Sequence, residues 1–389
     1  MITTLAVENY RSLRRLVVPL DRLTVVTGGN GVGKSALYRA LRLLADSARD
    51  GAVAALAREG GLRSALWAGE PGGKGGFAPR EDTTSLRLGF AGDEFGYAVD
   101  FGHPQSDPGS MFALDPEIKR ESVWSGPVLR PAALLSERHG PAVRLRAADP
   151  GGASAGGASG GAEWTAAGTL RPYESMLAEL ADPHRAPELL LLRETLRSWR
   201  FYDHVRTDAA APARAPRVGT RTPVLAADGA DLAAALQTIR EIGDPKALDD
   251  AVDSAFPGSR LAVTEHGGHF EVALRQPGVR RPLRAAELSD GTLRYLLWAA
   301  ALLSPRPPAL LVLNEPETSL HPELLPSLAD LVRTAAERTQ TVVVTHAAPL
   351  AAALASRGGR TIELVRDGGP TAVRGQGLLD EPAWHWPGR

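Results

Sequence analysis

The chain contains no cysteine. Disulfides, cysteine-ligated zinc and thiol catalysis are therefore excluded. Lysine is almost as scarce: only Lys34, Lys74, Lys119 and Lys246 occur, so 40 of the 44 basic residues are arginine. A motif built on lysine stands out against that background. Charge of one sign is not in excess, the formal net charge being −1. No global pull toward nucleic acid or an anionic surface is expected, although a local basic patch is compatible with that balance. No apolar run approaches the roughly 18 residues that a bilayer span needs. Met1-Ile2-Thr3-Thr4 leads straight into a strand-like segment instead of a secretory leader. There is no internal repeat. These absences point to a cytoplasmic, soluble protein, and 389 residues, 43% of them hydrophobic, allow one large domain or two.

Residues 2–8 and 15–20 alternate like strands. Leu23–Thr27 is a short β-branched run that ends in glycines, and the spacing of Leu37, Leu41 and Leu44 predicts a helix from Ser35. Thr83–Phe101 reads as a hairpin, and Leu134–Arg146 as another. The Gly/Ala/Ser-rich stretch 149–161 reads as a flexible loop. The chain then turns helical over Tyr173–Ala181, Pro187–Tyr202, Ala230–Ile242 and Pro245–Phe256, with an exposed Ala/Pro/Arg-rich crossing at Thr207–Thr222. Strands are expected at Arg260–Thr264 and Phe270–Arg275; His266 and His269 between them read as part of a turn. From Gly291 to Leu303 an apolar helix follows. Strand Ala309–Leu313, helix Pro322–Arg338, strand Thr341–Thr345, helix Ala348–Ser356 and strand Thr361–Val365 then alternate, which predicts a parallel sheet.

The stretch GGNGVGKS, Gly28 to Ser35, fits G-x-x-x-x-G-K-[ST], with a strand before it and a helix after it. Gly28, Gly31 and Gly33 permit backbone conformations that a Cβ would block. Successive N–H groups can then face phosphate oxygens, and the helix N-terminus adds its positive end. Lys34 is placed to reach the β- and γ-phosphates and Ser35 to ligate Mg²⁺. The whole cradle is expected to draw on Gly28, Asn30, Gly31, Gly33, Lys34, Ser35 and Ala36, with ATP and Mg²⁺ as its ligands.

Three further pieces follow in order. Leu288-Ser289-Asp290-Gly291 opens the apolar helix. It reads either as an ordinary N-cap or as an anion-binding helix terminus, and Gly291 lies 23 residues before Asn314. The strand ending at Leu313 delivers Asn314 and Glu315 to its carboxyl end, where ligands of open α/β sheets bind. Glu315 can accept a proton from water. The residue before it is Asn, where ATP-hydrolysing proteins usually carry Asp. An amide keeps the acceptor and the shape but gives up the charge, so weaker Mg²⁺ retention and a slow ATPase are expected. His346 ends the next apolar strand, 31 residues after Glu315. It reads as a γ-phosphate contact or, alternatively, as a cap of the following helix.

Together these residues resemble the ATP-binding-cassette (ABC) ATPase superfamily. GGNGVGKS looks like its Walker A, LSDGT its signature, VLNEP its Walker B and VVVTH its switch-histidine strand. Ser319-Leu320-His321 falls at its D-loop, with His321 in place of the usual Asp. Gln105 is a weak candidate for the Q-loop glutamine. LAVENYRSLRRLVVPLDRLTVVTGGNGVGKS and NEPETSLHP are similar to the RecF and SMC-like branch. The fold implied is α/β: a P-loop NTPase of ABC ATPase type with an antiparallel β subdomain and a helical insertion lobe. Residues 1–165 and 266–389 would form the two halves of the head, and 166–265 the insertion. The resemblance further implies an ATP-dependent homodimer, in which Ser289 and Gly291 of one subunit close ATP on the other's P-loop, with Glu315 and His346 catalytic and Ser35 and Asn314 at the metal.

Lys34 and Ser289 are 255 residues apart, much farther than in transporter ATPases. The insertion is too short and too Pro-broken for an SMC coiled coil. The 43 residues after His346 show no acidic cluster of the kind a Toprim nuclease needs. A compact RecF-like ATPase remains, acting on DNA in repair, recombination or genome defence. The alternative is a nucleotide-gated scaffold that controls a partner protein without touching DNA. Arg193, Arg197, Arg200, Arg206, Arg214, Arg217 and Arg221, with Trp199, Phe201 and Tyr202 among them, could grip phosphate and stack on bases; the competing reading is solvated arginines over a core of aromatics.

Overall fold

The computed structural model describes residues 1–69, 85–104, 110–146, 164–180, 182–203, 205–377 and 379–388. Gln105 and the low-complexity stretch 149–161 lie outside them. The chain divides into two compact units, one formed by Met1–Leu20, Gly28–Ser198 and Glu363–Arg389, the other by Asp21–Thr27 and Trp199–Ile362. This division does not follow the expected boundaries at 165 and 266, because residues 166–265 are shared between the units.

The first unit is built on an eight-stranded antiparallel sheet. Its strands lie in the order Leu13–Pro19, Ile2–Tyr10, Ser85–Gly92, Phe95–Gly102, Glu117–Ser125, Leu134–His139, Ala142–Arg146 and Trp164–Thr169. Both expected hairpins are present in it. Leu5, Val7, Leu86, Leu88, Val99 and Val123 are buried on one face of it, and Ala91, Ala98 and Trp124 are buried on the other. Helix Lys34–Asp50 buries Leu37, Leu41 and Leu44, as the spacing predicts, and helix Pro187–Ser198 packs beside it.

The second unit holds parallel strands in the order Arg200–Tyr202, Leu310–Asn314, Gln340–Val344 and Leu23–Gly28. Leu310–Leu313 and Thr341–Val344 are buried throughout, which is the pattern of a parallel sheet covered on both faces. Register places Asn314 opposite Val344 and Val344 opposite Val26. Three strands therefore end at one level. Helices Leu232–Ile242, Pro245–Ala255, Asp290–Leu302, Leu325–Ala336 and Ala348–Ala355 complete the unit, with a small sheet of Arg217–Val218, His269–Arg275, Arg260–His266 and Leu283–Arg284.

Two expected helices come out differently. The helix from Pro187 stops at Ser198, and Arg200–Tyr202 is a strand pairing with Leu311–Leu313. Trp199, Phe201 and Tyr202 prefer a pleated, buried position to continued helix. Of the helix expected over Tyr173–Ala181, the described residues form the short helix Met176–Glu179, capped by the Ser175 hydroxyl. No helix among the described residues is long and apolar enough to cross a membrane.

Candidate functional site

The first unit supplies the phosphate loop. Gly28 has φ +139° and Gly33 φ +110°, conformations that disfavour any side chain. A Cβ on Gly28 would also collide with the Leu364 carbonyl, and one on Gly33 would lie 2.5 Å from Thr371 Oγ1 and 2.8 Å from Ser12 Oγ. Thr371 Oγ1 donates to the Val32 carbonyl (2.8 Å). The loop is thus braced from outside by the C-terminal segment. Asn30, Gly31 and Ser35 are exposed on it, while Ala36 is buried beneath. Lys34 is only 7% exposed, and its Nζ donates to the carbonyls of Gly28 (2.7 Å) and Gly29 (2.8 Å). Among the described residues no carboxylate lies within ion-pairing distance of it. A largely buried ammonium held by neutral carbonyls alone is matched to an incoming anion.

The second unit supplies the acidic strand end. Glu315 leaves the strand with φ +49°, a conformation that is strained in a non-glycine residue, and its N–H donates to Val344 O (2.7 Å). The Pro316 carbonyl is pinned by Trp298 Nε1 (2.9 Å) from the helix Asp290–Leu302. Glu315 and His346 are both about half-exposed, and His346 Nδ1 lies 3.6 Å from Glu315 Oε1. Helix Ala348–Ala355 is capped at Ala347 without a side-chain bond, so His346 is not its cap.

Glu317, which the sequence reading passed over, joins these parts. Its carboxylate is buried. Oε1 accepts from Thr345 Oγ1 (2.6 Å), His346 N (3.2 Å) and Ala347 N (3.3 Å), and lies 3.3 Å from His346 Nδ1. Oε2 is buried with no hydrogen-bond partner among the described residues. One side chain therefore fixes the Glu315 turn to the His346 turn. The only sequence cue was a second acid two residues after Glu315, immediately after a proline.

Ser289 does cap its helix: Oγ accepts from Thr292 N (3.2 Å) and lies 2.8 Å from Thr292 Oγ1. It also faces an open groove of about 820 Å³, lined in part by Gly291, Ser319, His321 and Phe256. A Cβ on Gly291 would lie 3.0 Å from Ser319 O, a tight contact where the start of this helix approaches the Ser319 turn. Among the described residues no three His, Asp or Glu side chains could hold a metal by themselves. The exposed Ser35 hydroxyl and the half-buried Asn314 amide are hard oxygen donors. Each, within its own unit, is of the donor type that Mg²⁺ takes.

The arginine-rich stretch is not a stacking platform. Trp199, Phe201 and Tyr202 are buried in core, and so is Arg214. Arg206 pairs with Asp208 and Arg221 with Glu241. His266 and His269 flank a Gly-Gly turn, as expected.

Residues 23–351 match the family model described as "AAA domain, putative AbiEii toxin, Type IV TA system". No curated protein matches the chain. Among solved structures, an SMC head bound to the C-winged helix domain of ScpA superposes with a TM-score of 0.52 at 13% identity, over 97% of this chain and 98% of that one. The Smc head domain derived from Pyrococcus furiosus, with an extended coiled coil and bound to the C-terminal domain of ScpA, gives 0.50 at 12% identity over 96% and 95%. The fold is that of an ABC-type ATPase head of the SMC and RecF-like branch.

Proposed function

For a chain that belongs to the family described as "AAA domain, putative AbiEii toxin, Type IV TA system", we propose the function of an ATP-gated head that binds ATP on Gly28–Ala36, dimerises on it, and hydrolyses it slowly. The observation that carries this reading is Lys34, a buried cation answered among the described residues by loop carbonyls alone. Its ammonium exchanges those carbonyls for phosphate oxygens. Bound Mg²⁺ would neutralise charge across the β- and γ-phosphates, with Ser35 and Asn314 as its protein donors. Glu315 accepts the proton of the attacking water, and His346, held by Glu317, contacts the γ-phosphate. Ser289 and Gly291 close the nucleotide of the partner subunit. Opening after hydrolysis makes ATP a switchable link.

The expected arena is DNA repair, recombination or genome defence, and the toxin–antitoxin wording of the family's description favours defence. A second reading has the nucleotide state control a partner protein without DNA. The burial of Trp199, Phe201 and Tyr202 favours it, because it removes the bases' stacking surface. ATP hydrolysis that rises with added DNA at physiological salt selects the first reading, and indifference to DNA selects the second. The shared core of both is tested with Glu315→Gln. Loss of a positioned base lowers turnover by about 10²–10⁴, while the phosphate cradle is untouched. Light scattering of this variant with ATP should show twice the monomer mass. Hydrolysis at the parent rate would remove Glu315 from the role of base.

A further inference from the structure

The crossing that follows Tyr202 carries one arginine into the interior. Arg214 is 9% exposed, and each nitrogen of its guanidinium donates to protein oxygens. Nε donates to the carbonyls of Thr207 (2.9 Å) and Asp208 (3.1 Å). Nη1 donates to those of Ala285 (3.0 Å), Ala286 (3.3 Å) and Leu288 (2.7 Å). Nη2 reaches Thr207 O (2.8 Å) and Asp290 Oδ1 (2.6 Å). The acceptors fall into two groups: the crossing itself, and the turn that immediately precedes and opens the helix of Ser289 and Gly291. A second strut runs in parallel, Arg294 Nη2 donating to Val205 O at 2.8 Å.

Leu288 and Asp290 bracket Ser289, so Arg214 grips the residues on both sides of it. Only a planar fork with donors in three directions can serve both groups at once, and an ammonium cannot. The Ala285 carbonyl of the short turn Ala285–Glu287 takes a long bond from Leu288 N (3.4 Å), and the guanidinium adds a shorter second donor at 3.0 Å. We infer that Arg214 is the positioning residue of the Ser289–Gly291 segment, fixing its distance and angle from the crossing 205–215, so that the surface closing a partner's nucleotide exists only while that crossing is docked. This rests on the reading of Ser289 and Gly291 as acting on the neighbouring subunit's ATP. It makes the crossing the element through which the rest of the second unit sets dimerisation.

The test uses the full chain and three variants: Arg214→Lys, Asp290→Asn and Ser289→Arg. A fluorescent ATP analogue reports each variant's own phosphate loop, light scattering reports the ATP-dependent dimer, and phosphate release reports turnover. Arg214→Lys should bind the analogue with parental affinity yet dimerise and hydrolyse roughly ten- to a hundredfold less well, the loss expected of charge-assisted bonds. Mixed with Lys34→Ala, it should recover one composite site, because its own loop is intact; a globally damaged protein would not. Asp290→Asn removes only the charge at an exposed carboxylate, folds whatever becomes of Arg214→Lys, and should show the same split in weaker form. Parental dimerisation and turnover in both Arg214→Lys and Asp290→Asn overturn the inference, provided that Ser289→Arg has lost them. If Ser289→Arg also behaves as the parent, the shared-site reading itself has failed.

Discussion

Glu317→Ala removes a carboxylate that holds three donors from the neighbouring strand end. The 2.6 Å bond from Thr345 Oγ1 is charge-assisted and short. Such a bond contributes about 1.5–3 kcal/mol, and the two longer N–H bonds contribute less. Thr345 is fully buried, so its hydroxyl finds no water in exchange. Leaving that buried hydroxyl donor unpaired costs about 1–3 kcal/mol. Glu317→Gln keeps an acceptor at the Oε1 position and loses only the charge, so its cost should be about 1–2 kcal/mol. The two variants should separate on two readouts. In amide exchange, His346 and Ala347 should lose protection in Glu317→Ala and keep most of it in Glu317→Gln. In steady-state hydrolysis at saturating ATP, both should fall. Glu317→Gln should fall between about 10- and 100-fold, part of the 10²–10⁴ that a positioned group contributes, because His346 loses the carboxylate 3.3 Å from its Nδ1. A Glu317→Ala protein with parental protection and parental turnover would refute the idea that this carboxylate ties the two strand ends together.

Asn314→Asp restores a charge beside the metal and should lower the Mg²⁺ needed for half-maximal hydrolysis, read from a magnesium titration; an unchanged midpoint would place Asn314 away from the ion. Gly33→Ala puts a methyl 2.5 Å from Thr371 Oγ1 in a backbone with φ +110°, a strain of order 1–3 kcal/mol. Binding of a fluorescent ATP analogue should weaken by tenfold or more, and Thr371→Gly should recover part of it if contact with that side chain, rather than φ alone, is the cause.

The phosphate loop was legible because its chemistry is local. Four glycines, one of four lysines and a strand–helix frame sit within a dozen residues. The acidic strand end was legible for the same reason: an apolar strand delivers Asn314 and Glu315 to a turn. What sequence did not show depends on partners far along the chain. Glu317 acquires its meaning from Thr345–Ala347, some 28–30 residues on, and Arg214 from residues 71–76 positions away. Arg214 had looked like one more surface arginine. Trp199–Tyr202 continued the leucine-rich helical pattern before it, and only pairing with Leu311–Leu313 makes a strand of Arg200–Tyr202. Such tertiary overrides leave no periodic trace.

The central claim is that two chains share each nucleotide. The direct measurement is phosphate release from a mixture of Lys34→Ala and Ser289→Arg proteins. Lys34→Ala lacks a working phosphate loop and Ser289→Arg lacks a closing surface, so each alone should be inactive. Mixed, the loop of Ser289→Arg can be closed by the intact Ser289 of its partner, and hydrolysis should return through one of the two sites in each mixed dimer. An inactive mixture of two folded proteins, or full activity of Ser289→Arg alone, would contradict the account.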